Sequence, residues 1–168
     1  MGRFVDGSVG KAFAYGAQRG RLFVQGGADA RAAIRLSGAD VVFGGDLGGF
    51  AFEYMTGGTA VVLGDPGRWI CSGMSGGLVF LRLDPARGLD DDGLRTRFAK
   101  GAKVTLRVPD AVEAERCAEL LAAYVGIVAS SGQGGEAARV RELCGRIAEV
   151  FRVVRPGGDI VDQTVTTE

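Results

Sequence analysis

A period of 19 residues constrains this chain more than any other feature of it. Leu36-Ser37-Gly38, Met55-Thr56-Gly57 and Met74-Ser75-Gly76 follow one another at that step. Each is followed by an apolar run, Val41-Val42-Phe43, Ala60-Val61-Val62 and Val79-Phe80-Leu81, and Leu22-Phe23-Val24 lies one step earlier. Glycines keep the same step at Gly26, Gly45 and Gly64, at Gly48 and Gly67, and at Gly38, Gly57 and Gly76, with Gly58 and Gly77 beside the last two. Four copies run from Gly10 to Leu83, and the first is imperfect, with Gln18-Arg19-Gly20 where later copies have Ser-Gly or Thr-Gly.

A fixed period of this length is the mark of a repeat architecture. Each copy holds short extended runs separated by glycine, and no amphipathic stretch of helix length. A strand rises about 3.3 Å per residue, so each run covers roughly 10–15 Å before it turns. The turns fall at Ser/Thr-Gly-Gly and Gly-Asp-x-Gly, where a positive φ suits glycine and Asx residues. A helix-free unit of this size returns to its start as one coil of a parallel solenoid. Each coil then lies about 4.8 Å above the last, and like residues stack on like. The expected fold is an all-β core, a right-handed parallel β-helix of about four coils. Leu36, Met55 and Met74 would form one internal ladder, and Val42, Val61 and Phe80 another. A leucine-rich repeat is disfavoured because its leucine and asparagine framework is missing. Collagen is excluded because glycine does not fall at every third residue.

Composition narrows the function. The 20 basic and 20 acidic residues cancel, which argues against a nucleic-acid binder. The chain has no histidine, so the usual proton shuttle and the commonest metal ligand are both missing. Cys71, Cys117 and Cys144 show no CxxC spacing and read as reduced thiols of a cytoplasmic protein. No stretch has the length and apolarity of a membrane span, and Met1–Asp6 has no secretory h-region.

The β-helix is expected over residues 1–108, led by a short strand in 1–9. Residues 84–102 read as a polar connection, with Asp90-Asp91-Asp92 a solvated run rather than a calcium loop. Val104, Leu106 and Val108 alternate as in a strand. A helical cap spans 109–156. Its first helix starts at a capping box, Asp110 with Glu113, and presents Cys117, Leu120, Leu121, Tyr124 and Val128 on one stripe. A second helix runs from about Glu136 to Phe151, both stripes packing on the solenoid. The cap could close one open end of the coil stack. Arg152–Pro156 is extended, and the tail 157–168 ends disordered. Gly132-x-Gly134-x-x-Ala137 matches a dinucleotide fingerprint in spacing, but a helix rather than a strand is expected before it.

The stretch Phe52-Glu53-Tyr54-Met55-Thr56-Gly57-Gly58-Thr59-Ala60-Val61-Val62-Leu63-Gly64, then Gly67-Arg68 and Gly73-Met74-Ser75-Gly76-Gly77, resembles the C-terminal GXGXG domain of the glutamate synthase large subunit. The resemblance covers about residues 8–156. It departs from the family in lacking the early coils and in having Gly49-Phe50 where a histidine-glycine pair is frequent. A β-helix of the same kind occurs in formylmethanofuran dehydrogenase and related formyltransferase/hydrolase complexes.

The resemblance implies a structural role, bracing a glutaminase component against an FMN and iron–sulfur synthase component. Those would be partner subunits, and the cofactors theirs. No catalytic, cofactor-binding or metal residue is assigned in this chain. Glu53 and Tyr54 are candidates for an interface contact, and self-association stays open. The alternatives are a scaffold of the formyltransferase/hydrolase type and a small stand-alone enzyme using Glu53, Tyr54 or Cys71.

Overall fold

The structure is a computed structural model that describes residues 2–5 and 7–158. The tail beyond residue 158, expected to be disordered, lies outside the described residues.

Five short strands stack in parallel: β1 (Gly2–Val5), β2 (Arg21–Val24), β3 (Asp40–Phe43), β4 (Thr56–Val62) and β5 (Gly76–Arg82). Their register repeats the period of the sequence. Arg21 lies opposite Asp40, Asp40 opposite Thr59, and Thr59 opposite Leu78. The fold is a β-solenoid of about three turns followed by helices, where the repeat count suggested about four. The strands β2 to β5 enclose three circuits between them, β1 adds one more parallel strand before β2, and the chain leaves the coil after β5.

The two sides of the sheet belong to different cores. Val24, Val41, Phe43, Ala60, Val62, Val79 and Leu81 point into the coil, together with Leu36, Met55 and Met74. The expectation that Val42, Val61 and Phe80 form a second internal ladder is corrected. With Phe23 they line the outer face of the sheet and pack in the second core. The reason is the period of two along a strand, which sends neighbours in each apolar run to opposite faces. Both faces are buried, so the runs look uniformly apolar and do not announce their split.

What covers the outer face is α2 (Ala111–Ser130), through Cys117, Leu120, Leu121, Tyr124 and Val128, with α3 (Gly134–Cys144) beside it through Ala137, Val140 and Leu143. The expected second helix breaks at Gly145-Arg146, and α4 (Ile147–Val150) is a single turn. Since α2 precedes Gly132 and Gly134, the dinucleotide spacing has no strand before it.

The helices therefore cover a flank of the stack and leave its end to other residues. The end is closed by the segment read as a polar connection. Leu89, Leu94 and Phe98 plug the interior, Leu94 from the short helix α1 (Asp91–Arg95). Phe98 bridges Ile70 in parallel, where a further coil would have stood. Next to β5, β7 (Phe151–Pro156) adds antiparallel, and β6 (Val104–Arg107) pairs with β7 at the sheet's rim. This reversal of direction ends the parallel stack. The three aspartates each have a separate duty. Asp90 caps α1 by accepting from Gly93 N–H at 2.8 Å, Asp91 pairs with Arg152 at 2.7 Å, and Asp92 pairs with Arg95 at 3.1 Å.

Most of the repeated glycines serve close approach of one coil to the next. A Cβ at Gly38, Gly57 or Gly76 would stand 2.2, 2.3 or 2.1 Å from a carbonyl oxygen of the coil below. The same crowding holds at Gly26, Gly45, Gly48 and Gly64, none of which has a positive φ. Of the glycines singled out by the repeat, Gly58, Gly67 and Gly77 do have positive φ, at 81°, 80° and 90°.

Glu113 anchors α2 to the rim strands. It is 1% exposed and accepts from Arg107 of β6 at 2.7 and 2.8 Å, from Arg155 of β7, and from the Asp110 amide in the capping box. Burial alone would raise its pKa, but Arg107, the Asp110 amide and Arg155 together bring it down to about 2. A carboxyl depressed in the folded state stabilises fully above its unfolded value of 4.5 and loses that contribution as pH falls toward about 2. Glu113→Gln is expected to cost about 3 kcal/mol in urea unfolding at neutral pH, since it leaves two arginines unpaired. The deficit should shrink as the pH falls from 4.5 toward 2, where the wild-type carboxylate itself becomes protonated.

Candidate docking surface

Opposite the sheet, each coil closes through a segment whose alternate residues are left-handed. Their φ values lie between 55° and 67° at Ala12, Ala14 and Gly16, at Arg31, Ala33 and Arg35, at Phe50, Phe52 and Tyr54, and at Trp69, Cys71 and Gly73. The three columns repeat at the same 19-residue step. Ten of these residues are not glycine, and each costs roughly 1–2 kcal/mol in that conformation.

Hydrogen bonds between coils hold the arrangement. The Arg31 and Arg35 amides donate to Gly49 and Glu53 carbonyls of the next coil, both at 2.8 Å. Phe50 and Tyr54 donate to Arg68 and Ser72 in the same way, also at 2.8 Å. The middle residues reach the other way: Ala33 donates to Phe13 at 2.7 Å, Phe52 to Ala32 at 2.9 Å, and Cys71 to Ala51 at 3.0 Å. Ala33, Phe52 and Cys71 are consequently buried, while Arg31, Arg35, Tyr54 and Trp69 face out.

Stacking orders the outward side chains. Phe50 and Trp69 stack with centroids 5.0 Å apart and planes at 20°. The Arg31 guanidinium lies 4.9 Å from the Phe50 centroid, and the Arg35 guanidinium 5.6 Å from that of Tyr54. Gly73 completes the third column, where a Cβ would sit 2.5 Å from the Tyr54 ring. Tyr15, Tyr54 and Trp69 are 60%, 52% and 52% exposed. Exposed aromatic and arginine side chains are what protein interfaces are enriched in.

Of the two interface candidates, Tyr54 is in the open and Glu53 is not. Glu53 has only 16% of its side chain exposed and lies 3.7 Å from Arg31. The neighbours Arg31, Arg35, Phe50 and Trp69 were missed by the sequence reading. Their signal was available in the period, which aligns Arg31, Phe50 and Trp69 once the copies are laid over one another.

The remaining chemistry is quiet. Cys71 is fully buried, and burial pushes its thiol well above the ordinary range; Cys117 is raised likewise. Neither is placed to act as a thiolate nucleophile. The Gly-Asp-x-Gly turns stack Asp46 beneath Asp65, with the Asp65 amide donating to Asp46 at 2.8 Å. Arg87 binds Asp46 through two hydrogen bonds of 2.9 Å, holding its carboxyl below the usual range, and Arg97 binds Asp65 at 2.8 Å. These turns line two open cavities of about 350 and 340 Å³, the first walled by Trp69 and Arg97, the second by Arg82 and Arg139. No group of three or more acidic or cysteine ligands that could hold a metal ion is found among the described residues. No helix among them is long and apolar enough to cross a membrane.

Ala12 is exposed and left-handed, at φ 57°. Ala12→Gly relieves that strain, and a more flexible unfolded chain offsets part of the gain. Urea unfolding should show a rise of about 0.5–1 kcal/mol. A loss of similar size, the ordinary result for such a change in regular structure, would contradict the left-handed assignment.

The GXGXG motif family matches residues 6–134. The chain is also similar to a glutamate synthase [NADPH] large chain of Azospirillum brasilense, 52% identical over 52 residues, a match covering 31% of this chain and 3% of that relative. Together with the 19-residue coils and their stacked turns, the match over most of the chain places this protein in the GXGXG family.

Proposed function

We propose that this protein is a non-catalytic assembly component of a glutamate synthase-type amidotransferase, bracing a glutaminase-like chain against an FMN-dependent synthase-like chain. The similarity to a glutamate synthase large chain supports a role related to that enzyme. The observation that carries the assembly reading is the aromatic–arginine face. It is exposed and ordered by stacking, and its backbone is held by hydrogen bonds on both sides. A surface built this way is prepared to bind without a large ordering cost. In this reading the flavin and iron–sulfur chemistry belongs to the partner chains, and this chain supplies geometry. The stand-alone enzyme reading would rest on Glu53, Tyr54 or Cys71, yet Glu53 is paired with Arg31, the Tyr54 ring carries the Arg35 guanidinium, and Cys71 lies inside the coil.

Co-expression with glutaminase-like and synthase-like chains from the same source should yield a complex that survives gel filtration. The purified chain alone should show no glutaminase or synthase turnover. A chain that elutes separately from both components, or that turns over substrate alone and stops on Glu53→Ala, would contradict the proposal.

A further inference from the structure

The geometry points to an acidic polypeptide surface, carboxylates flanked by apolar side chains, as what the aromatic–arginine face binds. This rests on the assembly reading and gives it a partner chemistry. The chain as a whole is neutral, with 20 basic and 20 acidic residues, but its charges are unevenly placed. Lys11, Arg31, Arg35 and Arg68 are all exposed on the left-handed segments or beside them. Against these four cations stand two acidic groups, Glu53 and Asp29. Glu53 is mostly buried against Arg31, and Asp29 accepts from the Ala30 amide at 2.7 Å. The face is therefore a local positive patch, and its natural complement is negative.

The arginines are also prepared for carboxylates in particular. A guanidinium laid over an aromatic ring is held by its face, and its in-plane N–H groups stay free for a bidentate acceptor. Arg35 over Tyr54 has that arrangement, and Arg31 over Phe50 has it with Glu53 at 3.7 Å from one of its nitrogens, beyond hydrogen-bond distance. Each has lost rotamer freedom before any partner arrives, so less is lost on binding. The same left-handed segments carry Tyr15, Tyr54 and Trp69, more than half exposed. Such rings need apolar cover, which a free anion or a uniformly charged chain does not provide.

Trp69 is the single tryptophan of the chain and stands in the patch, so its emission reports on this face alone. The full chain is titrated with a peptide of alternating glutamate and leucine, with a lysine–leucine counterpart, and with no peptide over a range of protein concentrations. The glutamate peptide should give a saturable blue shift of Trp69 emission that weakens as salt is added. In the double variant Arg31→Gln, Arg35→Gln the Kd should rise tenfold or more. Arg139→Gln, on α3 across the sheet, should bind as the wild type does. The proposal is overturned by an unchanged emission, by an equal response to the lysine peptide, or by a double variant that binds normally. A shift that depends on protein concentration alone would assign the face to a second copy and overturn it too. The two readings fail separately. If the complex with the glutaminase-like and synthase-like chains forms while Trp69 stays as exposed as in the free chain, the docking face is wrong and the assembly role stands. If no complex forms, the assembly role fails, and the peptide titration still decides the chemistry of the face.

Discussion

Hydrogen bonding from coil to coil at a constant step of 19 residues is the interaction on which the rest of this structure depends. It runs through β1 to β5 as an ordinary parallel ladder, and through the opposite side as donations that alternate between the coil above and the coil below. The second set is the unusual one. Ten non-glycine residues in the left-handed region carry, taken together, on the order of 10 kcal/mol of local cost, comparable with the whole stability of a small domain. No single turn could sustain that. Repetition can, because the amides of Ala12, Arg31, Ala33, Arg35, Phe50, Phe52, Tyr54 and Cys71 each find an acceptor at 2.7–3.0 Å on a neighbouring coil, and the inward side chains enter a continuous core.

The same step decides where glycine is needed. Coils this close leave no room for a Cβ at Gly38, Gly57 and Gly76, although their φ values are unremarkable for any residue. At the left-handed columns the side chains have room outward or inward, so Arg31, Phe52 and Trp69 are accepted there despite the strain. Sterics between coils and strain within a coil are thus separate constraints, and the chain spends most of its repeated glycines on the first. The stack ends where the ladder loses its next rung. Arg97 and Ala99 take up the backbone groups of Ile70 at 3.0 and 2.9 Å, and the antiparallel β7 takes up β5.

The solenoid was legible in the sequence because its period is written in residue identity. Helix α2 was legible too, because Asp110 and Glu113 announce its start. The side of the sheet taken by Val42, Val61 and Phe80 was not legible. With helices on one face and the coil on the other, both faces select apolar residues and the alternation vanishes. The cap in residues 84–102 was hidden by its charges, several of which pair far along the chain, Asp91 with Arg152, Arg87 with Asp46 and Arg97 with Asp65, while Leu89, Leu94 and Phe98 turn inward. The left-handed columns were hidden for a deeper reason. Residue-based expectation reserves positive φ for glycine and Asx, and here tertiary hydrogen bonds override it at alanine, arginine and aromatic positions. The aromatic–arginine face shares that concealment in part: the period aligns Arg31, Phe50 and Trp69, but their common outward direction exists only after the coils stack.

Rigidity sets the aromatic–arginine face apart from a decorated loop surface. The amides of Arg31, Arg35, Phe50 and Tyr54 organise this face through their bonds to the next coil. Native-state hydrogen exchange of those amides tests the point most directly, since exposed turns normally open at little free-energy cost. The account predicts that they exchange as slowly as the strand amides of Val42 and Val61, and through the same cooperative opening. Exchange at the rate of an open loop, with the strands still protected, would contradict it.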